Sequence, residues 1–247
     1  MKTFKTISLC LILSSAVLLS CKNPGQAQKK DGAPKAEVPE LQVPEHYSLP
    51  AELQYAEPGT YQVEDKTYPL YIIDKFYPIG WSKDGKLAYM EEPADEAVGA
   101  YFFQFHILDL NTGKDVFSWK PEEDPEDGSL SQMFEDHKEL FEGKLKEMGI
   151  IPQQFKLEES DAKMDKSLEE SSFWGCDVVK AVKISKGGQV IYENENKEEY
   201  NSNLDQSIAG VLKCPDSNMA AVMVKTIQRG YEGPPHVYSF YFVKSSK

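Results

Sequence analysis

Gly80-Trp81-Ser82-Lys83-Asp84-Gly85-Lys86-Leu87-Ala88-Tyr89 reads as the end of one strand, a tight turn and the start of the next. Gly85 stands where such a turn needs a positive φ. Upstream, Phe76 to Trp81 and Tyr68 to Ile73 have strand character, and Lys86 to Glu91 carries the chain out of the turn. Ala100 to Leu110 is the longest alternating run. Tyr101, Phe103, Phe105 and Ile107 fall on one face, predicted to be core, and Phe102, Gln104, His106 and Leu108 on the other, predicted to be half-covered. Asn111-Thr112-Gly113-Lys114 then turns the chain into Val116 to Trp119.

Helical spacing replaces this period of two only once. Met133, Phe134, His137, Leu140, Phe141, Leu145 and Met148 form one stripe within Gln132 to Met148. Ser129 is the expected N-cap, with Gln132 three residues on as in a capping box. Gly149 and Pro152 end the helix. A short strand is expected at Gln153 to Leu157, a polar loop at Glu158 to Ser172, and strands again at Asp177 to Ser185, Met219 to Ile227 and Val237 to Val243. The sequence thus predicts one mainly β domain over residues 59–247: antiparallel sheets with one amphipathic helix, built as an irregular sandwich or as an incomplete or small propeller.

The opening turn recurs. Ser185-Lys186-Gly187-Gly188-Gln189-Val190-Ile191-Tyr192 repeats its layout, and Cys214-Pro215-Asp216-Ser217-Asn218-Met219 is a third version. With Asp109-Leu110-Asn111-Thr112-Gly113-Lys114, these pieces resemble the strands and turns of the WD40-like repeats in TolB-type β-propellers. In that family the turn is Trp-Ser-Pro-Asp-Gly; here Lys83 stands at the Pro in the first copy, and Ser217 at the Gly in the third. The resemblance implies antiparallel β-meanders.

The other end of the chain predicts an address. Lys2 and Lys5 precede an apolar run from Ile7 to Leu19, the layout of a signal peptide over residues 1–20. The run is shorter than the ~20 apolar residues a bilayer span needs. Leu18-Leu19-Ser20-Cys21 follows directly and resembles the lipobox of bacterial lipoproteins. That resemblance implies cleavage before Cys21, diacylglycerol on its sulfur and acylation of the new amine. Each buried methylene contributes about 0.8 kcal/mol, so two or three chains hold a protein on a membrane essentially for good. Lys22 follows the cysteine, where an Asp would mark inner-membrane retention in enteric-type bacteria, so the resemblance favours the outer membrane. Residues 21–58, punctuated by Pro24, Pro34, Pro39, Pro44, Pro50 and Pro58 and poor in large apolar side chains, read as a tether. His46, Tyr47 and Tyr55 are its candidates for docking on the body.

The chain carries 27 basic and 40 acidic residues, a net charge of −13, and Arg229 is the only arginine. Nucleic acid is a poor partner for such a surface. Beyond Cys21, Cys176 and Cys214 remain in an oxidising compartment. A disulfide between them would stabilise by roughly 4 kcal/mol, and two buried free thiols are the rival arrangement. No cofactor motif is present, and no metal ligand set: two cysteines lack paired histidines, and His46, His106, His137 and His236 are scattered.

Catalytic constellations are equally sparse. Gly80-Trp81-Ser82 resembles part of a hydrolase elbow, but position 84 is Asp and the turn leads into a strand. Aligning Gly128 of the acidic loop Glu122 to Gly128 with the glycine of a calcium loop places Pro125 at a ligand position and Phe134 where the bidentate Glu belongs. Glu91, Glu92, Asp95 and Glu96 form another acidic run, read as solvated surface. The loop Gln228 to His236 stands out: Arg229, Tyr231, Glu232 and His236 join chemistry suited to bidentate carboxylate binding and low-entropy contact. The expectation is a non-enzymatic envelope lipoprotein, attached to the membrane through Cys21, that binds a protein or another envelope component; such lipoproteins include surface adhesins. The alternatives are a hydrolase using its acids and a purely structural envelope component.

Overall fold

The turns expected from the sequence close the hairpins around which the fold is built. The computed structural model describes residues 42–94, 103–121, 129–230 and 233–246. Cys21 and its lipobox, the acidic loop 122–128, and Tyr231 and Glu232 lie outside them. The elements are β1 (Thr60–Val63), β2 (Lys66–Pro69), β3 (Tyr71–Ile73), β4 (Lys75–Trp81), β5 (Lys86–Glu92), β6 (Gln104–Asp109), β7 (Lys114–Trp119), α1 (Leu130–Asp136), α2 (Lys138–Glu147), β8 (Ile151–Pro152), β9 (Lys163–Ser171), β10 (Cys176–Lys186), β11 (Gln189–Glu195), β12 (Asn203–Lys213), β13 (Met219–Gln228) and β14 (His236–Ser246). No helix among the described residues is long and apolar enough to cross a membrane.

Three sheets stack face to face, and period two explains how. The first has the order β7-β6-β5-β4-β8 and the second β12-β13-β14-β3, its last pair parallel; the third has the order β11-β10-β9, and β1-β2 is a separate ribbon. On β5, Ala88 and Met90 face the helices while Leu87 and Tyr89 face the second sheet. β4 carries Tyr77 and Ile79 to the helical side, and a register shift between Pro78 and Gly80 brings Trp81 back to the face of Phe76. On β13, Ala221 and Met223 face the first sheet, whereas Ala220, Val222 and Val224 face the third. The order is therefore helices, sheet, sheet, sheet, with an apolar core at each of three interfaces. The mainly β, antiparallel architecture is as expected, with a third sheet added to the sandwich.

The helical stripe folds as two segments that meet at His137, whose φ of −113° and ψ of 15° interrupt the helix. Ser129 caps α1 by accepting from the Gln132 amide at 3.1 Å, but the Gln132 side chain donates onward to Asp136 instead of closing a capping box. Phe141 stacks on Phe105 with centroids 4.5 Å apart, while Leu140 points to solvent. Phe103, Phe105 and Ile107 are buried as expected, and Gln104, His106 and Leu108 are half-covered.

Two sequence expectations need correction, in the strands after α2 and in the cysteines. Residues 42–58, with the docking candidates His46, Tyr47 and Tyr55, lie along the body. The Tyr47 amide donates to Glu142 at 3.0 Å and its hydroxyl to the Ile150 carbonyl at 2.6 Å, while Tyr55 is buried in the second core. Gln153 to Leu157 is irregular, and the short strand there is β8, while the polar stretch after Glu158 contains β9. Cys176 and Cys214 are both free thiols. Cys214 is buried against the Ser82 carbonyl in the second core, whereas Cys176 lies beside Arg229 at the start of β10. Cys176 opens β10 in the third sheet, Cys214 follows β12 of the second, and the two have different neighbours.

Candidate functional site

Arg229 follows β13 directly, and its amide donates to the Ser202 carbonyl at 2.9 Å. That bond ties the strand end to the loop between β11 and β12. Its guanidinium lies over the Trp174 ring, 5.3 Å from the centroid, with one terminal nitrogen 3.8 Å from Cys176 Sγ. Such a cation over an indole face contributes roughly 0.5–2 kcal/mol, more as water is excluded. Trp174 sits in the tight turn from β9 to β10, which Gly175 completes at a φ of 64°. Phe173 meets Trp174 edge-on at 4.6 Å and Tyr200 edge-on at 5.0 Å. Phe173 is 57% exposed and Tyr200 58% exposed. The sequence singled out the arginine but not these three aromatics, which arrive from other sheets and loops.

His236 has a different role. Its ring Nδ1 accepts from the Gly230 amide at 3.1 Å, and its own amide donates to the Leu70 carbonyl at 2.9 Å. It closes the Arg229–His236 loop at its base and starts the parallel pairing of β14 with β3. Tyr231 and Glu232, expected beside it, fall outside the described residues.

Ser82 is a turn residue. Its hydroxyl donates to Asp84 at 2.5 Å and accepts from the Lys86 amide at 2.8 Å. Gly80 is required by packing: a β-carbon there would come 2.3 Å from the Ile151 carbonyl oxygen of β8. Glu91 and Glu92, read as solvated, part to opposite faces of β5. Glu92 is buried, accepting from Lys75 at 3.0 Å and Tyr77 at 3.1 Å. Glu91 lies near His106, and Asp115 binds the other nitrogen of that ring at 2.9 Å. Burial works against charge on His106, but the two carboxylates outweigh it and raise the imidazole to about 9. His137 packs on Trp119, with ring centroids 4.4 Å apart, as the helical stripe implied. No cluster of three or more potential metal ligands occurs among the described residues.

A second feature has no counterpart in the sequence reading. A cleft of about 600 Å³ lies between β11 with the loop that follows it, on the third sheet, and residues of β12, β13 and β14 on the second. Searches of family models, characterised proteins and solved structures find no match to this chain, so the reading rests on its own geometry.

Proposed function

We propose that this chain is a non-enzymatic, lipid-anchored lipoprotein of the bacterial envelope, held in the outer membrane by acyl chains on Cys21, whose β body binds a protein partner. The anchor reading rests on Leu18-Leu19-Ser20-Cys21 and the leader before it. The observation that carries the binding reading is the cluster of Phe173, Trp174 and Tyr200 around the one arginine. Trp, Tyr and Arg are the residues that dominate binding energy at protein interfaces. Two of the rings are more than half exposed, on a surface otherwise rich in charge. The partner this surface fits presents an apolar side chain to Phe173 and Tyr200 and a carboxylate to the guanidinium.

A photo-crosslinking residue placed at Phe173 of the full-length protein, in intact cells, tests the binding reading. Crosslinks to one envelope protein, lost on Tyr200→Ala and absent from the same probe at Val190, support it. Equal labelling from both positions, or none from Phe173, removes it. Mass spectrometry of the N-terminal peptide tests the anchor separately: an unmodified Cys21 thiol or an uncleaved leader refutes it.

A further inference from the structure

The rows of the second sheet change character together. Val211, Val222 and Val243 lie side by side across β12, β13 and β14, and the next row is Ile208, Val224 and Tyr241. These rows form the core beneath the third sheet. One row further, Gln206 pairs with Thr226 and Thr226 with Ser239; beyond that, Asn203 pairs with Gln228. β12 and β13 thus turn from apolar to polar at the same register, where the cleft begins, while β14 contributes Ser239 to the first polar row and Val237 to the second. Charged residues make up 27% of the chain, so an ordinary solvated face would carry them. These rows carry none.

We infer that the cleft binds a neutral carbohydrate, a short oligosaccharide segment, between the rings of Tyr192 and Tyr241 and the amide rows of Asn203, Gln206 and Gln228. A side-chain amide presents two donors and an acceptor in one plane, which suits vicinal hydroxyls that both donate and accept. The two tyrosine rings, with centroids 5.6 Å apart, supply apolar faces for the C–H face of a sugar ring. The site is held in advance. Tyr241 donates to Gln206 at 3.2 Å, and Thr226 is buried at the floor. The loop at the rim is pinned by the Asn196 amide on the Lys180 carbonyl at 2.7 Å and by the buried Asn201, which donates to the Val179 carbonyl at 2.8 Å. Preorganisation of this kind lowers the entropic cost of binding. The volume lies within the ~300–1,000 Å³ of ligand clefts, and the polar lining departs from their usual apolar one in the direction a polyhydroxylated ligand requires. Glu195 and Glu198 line the cleft beside Lys197 and disfavour anionic ligands.

This site is separate in its residues from the Arg229 surface, and its test does not depend on that surface. Purified full-length protein in detergent is titrated calorimetrically with neutral gluco-, manno-, galacto- and N-acetylglucosamine oligosaccharides, with a polyuronate and a neutral peptide of similar size as comparisons. Saturable binding of at least one neutral sugar is expected. Gln228→Ala and Tyr192→Ala should each weaken it about tenfold, the effect of one lost hydrogen-bond partner or ring contact. Arg229→Ala should leave it unchanged, and all variants should keep the wild-type circular dichroism at the titration temperature, although Tyr192→Ala and Arg229→Ala each lower the urea midpoint through a lost ring contact. Absence of binding by every neutral sugar at millimolar concentration overturns the proposal. So does binding that the two cleft variants leave intact, or preference for the peptide or the polyuronate.

Discussion

Raising the pH from 6.5 through 9 should weaken the fold through His106. It projects from β6 on the face opposite the helical core, and strands on either side supply its partners. Asp115 of β7 lies 2.9 Å from Nδ1, and Glu91 of β5 lies 3.5 Å from Nε2, too long for a strong hydrogen bond but close enough to favour positive charge. The ring stacks on Tyr89 at 5.0 Å, and the side chain is only 12% exposed. Desolvation disfavours the imidazolium, the carboxylates favour it, and the balance lifts the folded value from 6.5 to about 9. A raised value means that the folded state holds a proton the unfolded state releases. The stabilisation is therefore complete below pH 6.5, declines as pH rises towards 9 and is gone above it. The full shift corresponds to ~3 kcal/mol. Asp115 is 32% exposed, and screening there brings the expected value nearer to ~2 kcal/mol. Urea unfolding of wild type and His106→Gln across this pH range isolates the effect, because other titrating groups cancel in the difference. The wild-type advantage should shrink by that amount between the acidic and alkaline ends. A difference that stays constant with pH, or an NMR titration of native His106 at or below 6.5, would refute the reasoning.

Two glycines should respond in opposite directions. Gly80→Ala should cost roughly 1–3 kcal/mol in urea unfolding, because the new methyl meets the β8 backbone, which cannot yield as a side-chain end would. Gly143→Ala, in α2 with open space around the added carbon, should instead stabilise by ~0.5–1 kcal/mol. Burial raises the Asp74 carboxyl to about 7, against the Ala94 amide that donates to it at 2.6 Å, and Glu91 adds to the rise. Ionising this group costs stability as pH climbs from 3.8 through 7, so Asp74→Asn should be nearly neutral at acidic pH and stabilise by on the order of 2 kcal/mol in mild alkali; thermal melts at the two pH values check this. Under native conditions a maleimide should label Cys176, which is part-exposed, and reach Cys214 only after unfolding; reductant should leave the urea midpoint unchanged, since neither thiol is bridged.

The hairpins were legible because their signals are local. Gly85 at a φ of 91°, Gly113 at 67° and the Gly187-Gly188 pair at 57° and 79° occupy the turn positions the sequence marked for them. Alternation did the same for β5, covered on both faces by different layers, and for β6, buried on one face and half-covered on the other. β9 escaped because little of it is covered: of Lys163 to Ser171 only Met164 packs against a core, so no apolar period exists to read. β12 escaped for another reason. Its pairing with β13 shifts register between Asn203 and Asp205 and again between Ile208 and Gly210, and each extra residue breaks the period of two on which a strand is recognised. The second shift lies beside Gly210, where a β-carbon would come 2.5 Å from Leu157 and 2.7 Å from the Glu158 carbonyl, so the irregularity lets an incoming segment approach β12 closely.

The same shifts hid the cleft. Gln206 and Ile208 share a face, as do Asn203 and Gln206 across the first bulge, but in sequence they are unevenly spaced polar and apolar residues with no motif. Amide side chains have no charge, redox chemistry or metal preference to draw notice, whereas Arg229 and His236 do. Of those two, the structure uses His236 to close a loop and sets Arg229 against aromatics from distant segments. A residue's reactivity is written in its type, but a neutral binding surface exists only in the register of strands against one another. In this chain that register is set by two bulges in β12, which bring Asn203 and Gln206 into line with Gln228 and Thr226; deleting either bulge residue would flip the intervening side chains to the opposite face and dismantle the cleft without removing any of its amides.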